Sequence, residues 1–378
     1  MDVALVYSPA LGAYDLGPAH PFRPERFALA VALMEEYGLI GGGLTLAEPR
    51  PATREELLRV HEEAYVEVVE EASAPHRDWW RERRGIGPGD TPDFPGMHDA
   101  AALAAGATVQ ALDAVLAGTF TRSLAPAGGL HHAHPGRAAG FCIYNDIAVA
   151  IAGALERDPS VRVAYVDTDA HHGDGVQEVF YNEPRVLTIS VHEDGRYLYP
   201  GTGLVRERGG TDAPGSAVNV PMPPMATDEC YRFVTEEVVA PALRTFGPNV
   251  IVSQNGADAH WSDPLTSLGQ TLPGYRWLYA RIAALADELC GGRLVATGGG
   301  GYSWATVVPR AWTLLAASLV TTELPEPLPQ AWRERVRSLG FDPPAGLTED
   351  PGPPIDEGRH AAALEETRRM VERLRAAW

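Results

Sequence analysis

At 378 residues the chain suits one large α/β domain or two ordinary ones, and 45% hydrophobic with 8% aromatic content can supply a sizeable core. Its 31 basic residues, all arginine, face 50 acidic ones for a formal charge of −19, which argues against nucleic-acid or anionic-membrane partners and favours cationic substrates. Cys142, Cys230 and Cys290 lie far apart without CxxC spacing, which excludes a disulfide framework and a cysteine-type zinc site.

The opening residues, Met-Asp-Val-Ala-Leu-Val-Tyr, lack a basic leader region, and no uninterrupted apolar run approaches about 18 residues, so a cytoplasmic protein without a membrane span is expected. Residues 3–7 read as a first strand. Helices are predicted over 24–37, with Pro24 in its permissive first turn and Gly38 just past its end, and over 54–72, where His61 reads as a packed or surface histidine and not as a ligand. The stretch 85–96 is too rich in Gly and Pro for regular structure; around Asp90 it could rim a pocket or be a plain surface connection. An Ala-rich helix over 99–116 follows, then Gly128-Gly129-Leu130-His131-His132-Ala133-His134, a flexible turn with three histidines.

A helix over 147–155 leads into the stretch that organises the chain, 161–176. Residues 161–166 form a short, β-branched, apolar run, as a buried parallel strand should. Past it, Asp167, Asp169 and His171 alternate, so an extended backbone puts them on one face. Further elements are a short helix over 175–181, strands over 186–192, 217–221, 250–254 and 293–297, and helices over 227–246, 275–290 and 307–319. Strand–helix alternation of this kind gives a parallel sheet. Beyond Thr322 repeated prolines mark an irregular extension, closed by a charged amphipathic helix over 356–378. The reading is therefore a domain over 1–322 with an extension over 323–378.

Reactive groups gather in four loops, 128–134, 167–174, 258 and 298–302, at or beside predicted strand ends, where open α/β sheets bind ligands. Massed carboxylates need a compensating cation. Asp169, His171 and Asp258 make a three-ligand set with a fourth position for water, the open arrangement of catalytic zinc, and the oxygen-rich set also suits Fe(II). The run Gly298-Gly299-Gly300-Gly301 lacks the Lys-Ser/Thr of a phosphate loop and reads instead as freedom for backbone and Tyr302 to approach a crowded centre.

The order of these motifs, with Gly-Phe141-Cys-Ile-Tyr-Asn-Asp, Gln-Asn-Gly-Ala-Asp258-Ala-His and Val-Val-Pro-Arg-Ala-Trp, resembles the zinc-dependent histone deacetylase superfamily, most closely its bacterial acetoin-utilisation (AcuC-type) branch. The resemblance spans about residues 7 to 319. It implies the arginase/deacetylase fold, an α/β architecture with a parallel eight-stranded sheet between helices and the active site at the carboxyl ends of the strands. It implies NAD-independent hydrolysis of the amide of an acetylated lysine or amine, with the substrate an acetylated protein or a small acetylated amine. Asp169, His171 and Asp258 match the zinc ligands. His131 and His132 match the tandem histidines, with Asp167 and Asp174 as carboxylate partners, and Tyr302 matches the tyrosine facing the metal. Asp90 matches the rim acid, and Gly140, Phe141, Tyr199 and Leu265 match the acyl-lysine tunnel, with Tyr199 where Phe is more usual. A structural potassium ion beside the zinc is implied through Asp167, Asp169, His171 and Ser190. Competing readings are an acetylpolyamine amidohydrolase, an arginase-like dimanganese enzyme, in which Tyr302 and the His131–His132 pair have no role, and a non-catalytic acetyl-lysine binder.

Overall fold

Short apolar runs flanked by helices produce a single sheet. The computed structural model describes residues 2–74, 84–87, 89–354 and 356–377; Pro88, in a predicted loop, and Trp378, in a predicted helix, lie outside them. The described strands β1 (Val3–Val6), β2 (Leu44–Ala47), β3 (Arg122–Ala125), β4 (Val163–Asp167), β5 (Val186–Glu193), β6 (Ala217–Met222), β7 (Val250–Gln254) and β8 (Leu294–Thr297) form one eight-stranded, all-parallel sheet in the order β2-β1-β3-β8-β7-β4-β5-β6. Every residue of β4, β7 and β8 is buried, as expected of continuous apolar strands covered on both faces. Helices Met97–Leu116 and Asp146–Arg157 pack on one another, while Glu25–Glu36, Leu272–Cys290 and Val308–Leu319 form a second packed group. Met97–Leu116 is long and apolar enough to cross a membrane, yet it is mostly buried. The last helix, Glu357–Ala377, packs beside edge strand β6 and helix Asp228–Val234, covering an edge that would otherwise invite pairing.

All strands point the same way, so their carboxyl ends share one rim. Ala125, Thr297, Gln254 and Asp167, the last residues of the neighbours β3, β8, β7 and β4, are in register. The loops that follow these four strands are thereby brought side by side.

Several elements differ from expectation. Strands β2 and β3 were not predicted: β2 is a four-residue edge strand with exposed positions, and β3, Arg-Ser-Leu-Ala, carries buried polar residues that hide its pattern. Arg122 there bonds from afar through its terminal nitrogens, to Asp287 at 2.6 Å and the Leu319 carbonyl at 2.9 Å. The helix expected over 54–72 breaks into Arg54–Leu57 and Glu63–Ala72, because the Glu62 N–H donates to the Pro135 carbonyl instead of continuing a helix. The helix expected over 227–246 contains a π-helical turn, Thr235–Val239, next to Pro241; the wider turn gives room to a ring that collides with the carbonyl four residues back. The extension is not wholly irregular: Gln330–Ser338 is helical, with Trp332 buried and donating to the Leu29 carbonyl at 2.9 Å.

Candidate active site

The loop after β3 is tied down from beneath. Asp146 accepts the N–H groups of Gly129 (3.0 Å) and Leu130 (2.7 Å) and the Thr108 hydroxyl, and burial raises its carboxyl pKa despite these bonds. Asn145 donates to the carbonyls of His131 and Ala133. His61 is indeed packed: it receives the Asn145 N–H at 3.0 Å and donates to the His134 carbonyl at 3.2 Å. This frame leaves His131 and His132 side by side and buried.

Each ring of the pair is gripped by a carboxylate. His131 Nδ1 lies 2.7 Å from Asp167 and His132 Nδ1 2.7 Å from Asp174, while their Nε2 atoms are 3.1 Å apart. Burial disfavours charge on both rings. At His131 the fields of Asp167 and Asp169 win and push its pKa up to about 9. At His132 burial and the neighbouring His131 charge prevail over Asp174, bringing it down to about 4. Burial works against the Asp174 carboxylate too, but His132 and His134 hold it below its ordinary range. His134, the third histidine of the block, pairs with Asp174 at 3.3 Å and with Glu178.

The loops after β4 and β7 bring Asp169, His171 and Asp258 together, with one potential ligand atom from each lying within 4.8 Å of the others. His171 Nδ1 is 3.1 Å from Asp169 Oδ1 and 3.0 Å from Asp258 Oδ2. The remaining oxygens are spoken for. Asp169 Oδ2 accepts from Gln254 Nε2 and the Gly300 N–H, each at 2.7 Å, and Asp258 Oδ1 accepts the Ala170 N–H at 2.8 Å. Asp169 Oδ1, which also accepts the His171 N–H at 3.0 Å, and Asp258 Oδ2 face the shared centre. Burial and the Asp169 charge raise the Asp258 carboxyl to about 7, while hydrogen bonds to both acids overcome burial and hold His171 well above the usual imidazole range. Two buried carboxylates meeting at one point demand a positive charge there. The oxygen–oxygen–nitrogen donor set fits a divalent cation.

Tyr302 follows β8. Its ring stands edge-on to Phe141 at 5.8 Å and to His171 at 6.5 Å, and its backbone N–H donates to Asp263 at 2.8 Å. The preceding glycines allow the approach: a Cβ on Gly300 would sit 2.0 Å from Asp258 Oδ2. The same pocket is lined by His131, His132, Phe141, Asp169, His171 and Tyr302.

Of the expected channel residues, Gly140 and Phe141 line this pocket, and Asp90 and Tyr199 contact its lining residues. Asp90 is exposed and accepts the Gly140 N–H at 2.7 Å. Gly140 has φ +53°, and a Cβ there would meet the His132 ring at 2.2 Å. The half-exposed Tyr199 ring stands 5.1 Å from His132, and Leu265 is partly exposed. Ser190 turns its hydroxyl to His192 at 2.9 Å, and both Asp167 oxygens accept from protein groups, Asp169 N–H on one and His131 with Tyr165 on the other.

Sequence reasoning missed Gln254, Asp146, Asp263 and Arg26. Arg26 is buried at the back of the pocket, donating to the Gly301 carbonyl at 3.0 Å and lying over the Phe22 ring. Gln254 stood in a quoted motif and gave a signal; a single arginine in a helix gave none.

The family model described as "Histone deacetylase domain" matches residues 20–319. The acetoin utilization protein AcuC of Bacillus subtilis is 43% identical over 338 residues, covering 88% of this chain and 85% of that protein, and AcuC of Staphylococcus aureus (strain MSSA476) is 36% identical over 362 residues, covering 90% and 92%. A crystal structure of an HDAC homolog from Aquifex aeolicus superimposes with a TM-score of 0.84 at 30% identity, covering 97% of this chain and 100% of that one. That of an HDAC homolog complexed with SAHA gives 0.85 at 31% identity, with the same coverage. The chain belongs to the histone deacetylase family, in its acetoin-utilisation branch, and has the arginase/deacetylase fold.

Proposed function

We propose that the chain is a metal-dependent, NAD-independent hydrolase that removes acetyl groups from lysine side chains of proteins. The observation that carries this reading is one pocket lined both by Asp169 and His171, which form a cation-demanding triad with Asp258, and by a histidine pair whose Nδ1 atoms are held by carboxylates and whose Nε2 atoms converge. SAHA, an acetyl-lysine mimic, in a structural neighbour supports an acylated lysine as ligand.

Amide hydrolysis needs an activated water, a polarised carbonyl and a proton for the leaving amine. Asp169, His171 and Asp258 would hold the ion, zinc or Fe(II). A divalent ion held there supplies Lewis acidity, lowering the pKa of water from about 16 toward about 7 and polarising the acyl carbonyl. His132, oriented by Asp174, would take the proton of water at Nε2 and return it to the departing nitrogen. His131, kept charged by Asp167, would hold positive potential beside it. The Tyr302 hydroxyl would donate to the acyl oxygen as negative charge builds there. Gly140, Phe141, Tyr199 and Leu265 would flank the acyl-lysine stem, with Asp90 holding the substrate backbone at the rim.

The −19 charge favours a second reading, an acetylpolyamine amidohydrolase. Kinetics of the zinc-loaded protein on an acetyl-lysine peptide and on acetylputrescine separate the two. The expected result is a higher kcat/KM for the peptide, lost on chelation. A preference for acetylputrescine selects the second reading, and activity indifferent to chelators removes the metal from both.

A further inference from the structure

We propose that Asp350, in the extension beyond the matched family domain, is a positioning residue for the reaction proposed above, and so rests on that reading: its carboxylate fixes the loop that carries Asp258 and braces Tyr302. The matched domain ends at residue 319, yet the Asp350 side chain is only 2% exposed and reaches the loop directly after β7. Its Oδ2 accepts from His260 Nε2 at 2.7 Å and the Leu272 N–H at 3.0 Å, and its Oδ1 from Trp261 Nε1 at 2.5 Å and the Gly352 N–H at 3.0 Å. The Ser262 N–H points at His260 Nδ1, so the ring proton sits on Nε2 and is donated to Asp350. An extension docked only to cover apolar surface has no need of a buried carboxylate, which is costly to desolvate unless its lone pairs are met.

The gripped segment is short and runs through the site. His260 lies two residues past Asp258. Three residues past His260, Asp263 accepts the Tyr302 N–H at 2.8 Å on one oxygen and the Leu265 N–H at 3.0 Å on the other. The Ser303 hydroxyl donates to the Ser262 carbonyl at 3.0 Å, tying the two loops together again. The extension touches the second loop as well, where Phe341 stands edge-on to Trp304 at 5.0 Å. Arg310, buried in helix Val308–Leu319, donates to the Glu349 carbonyl at 2.8 Å and so sets the position of the residue before Asp350.

The test uses the full chain loaded with zinc and reads two quantities: the rate of zinc loss to excess EDTA, and kcat and KM on an acetyl-lysine peptide. Asp350→Asn keeps the volume but turns an acceptor oxygen into an amide facing N–H donors. It is expected to lose zinc at least about 10-fold faster and to lower kcat about 10-fold, with KM within about two-fold, as disturbed support of metal ligands does. Thr348→Ala removes the hydroxyl bond to Glu326 within the same extension without touching the loop, and should leave both quantities as they are. Should Asp350→Asn not fold, Trp261→Phe removes one donor and is expected to shift both quantities in the same direction by about three-fold. Zinc retention and kcat matching the wild type in the folded variant overturn the inference, as does an equal loss in Thr348→Ala. If the wild-type chain holds zinc but cleaves no acetylated substrate, the functional reading fails and the zinc-loss comparison alone decides the role of Asp350.

Discussion

The Nε2 atoms of His131 and His132 face each other across 3.1 Å. One must present hydrogen and the other a lone pair, so the two rings share a proton. The carboxylates behind them break the symmetry, leaving His131 charged, with its pKa near 9, and His132 neutral, with its pKa near 4. His132 is then the neutral ring, and its Nε2 lone pair serves as the base once it exchanges the His131 N–H for water. His132→Ala should reduce kcat on an acetyl-lysine peptide by about 100- to 10,000-fold, and His131→Ala by less. Steady-state kinetics of both variants check this, and near-normal turnover in His132→Ala would remove that ring from the chemistry.

Tyr302 makes its packing contacts through its ring and its backbone bond through N–H, and among the described residues no hydrogen bond holds its hydroxyl. Tyr302→Phe keeps those contacts. It should cost about 100- to 1000-fold in kcat with little change in thermal stability, the loss expected for one oxyanion donor. Parallel melting curves and kinetics distinguish this from a packing role, in which stability falls and turnover does not.

How much of this was legible beforehand depends on whether a feature is local. The close spacing of Asp167, Asp169 and His171 was visible in the sequence. The strand expected to carry all three on one face ends at Asp167, however, and the chain bends through 169–171, so Asp169 and His171 turn to Asp258 while Asp167 serves His131. The glycines at 298–301 were readable as permission for close approach, which the 2.0 Å clearance at Gly300 explains. Features set by distant partners were not readable. Arg122 conceals β3 because Asp287 pairs with it from another helix, Arg26 is buried by aromatics from three places, and Asp350 looks in the sequence like any acid in a proline-rich tail.

The metal ligands make a prediction about content as well as rate. Asp258→Ala should purify with little bound metal after desalting. Gly300→Ala leaves every ligand in place, but its Cβ would stand 2.0 Å from Asp258 Oδ2, so it should weaken metal retention by about 10-fold or more through displacement of that carboxylate. Elemental analysis of both variants is the measurement. Full metal content in Asp258→Ala would mean that the ligand set is wrong.

The last prediction concerns stability and pH. His61 is 2% exposed, with Nδ1–H donating to the His134 carbonyl and Nε2 accepting the Asn145 N–H, so both nitrogens are used by the neutral ring alone. Burial pulls its pKa from 6.5 down to about 4 even though the carbonyl contacts oppose the shift. Between those values the unfolded chain binds a proton that the folded chain refuses. Stability from this group is therefore fully present above the unfolded value and declines as pH falls from about 6.5 toward 4, by up to about 3 kcal/mol. His61→Gln should be less stable at pH 7.5, through looser support of the 128–134 turn. It should also lose less stability than the wild type between pH 7 and pH 5, because glutamine has no proton to gain. Denaturant unfolding of both proteins across that range measures the difference, and identical pH slopes would show that His61 is not the group responsible.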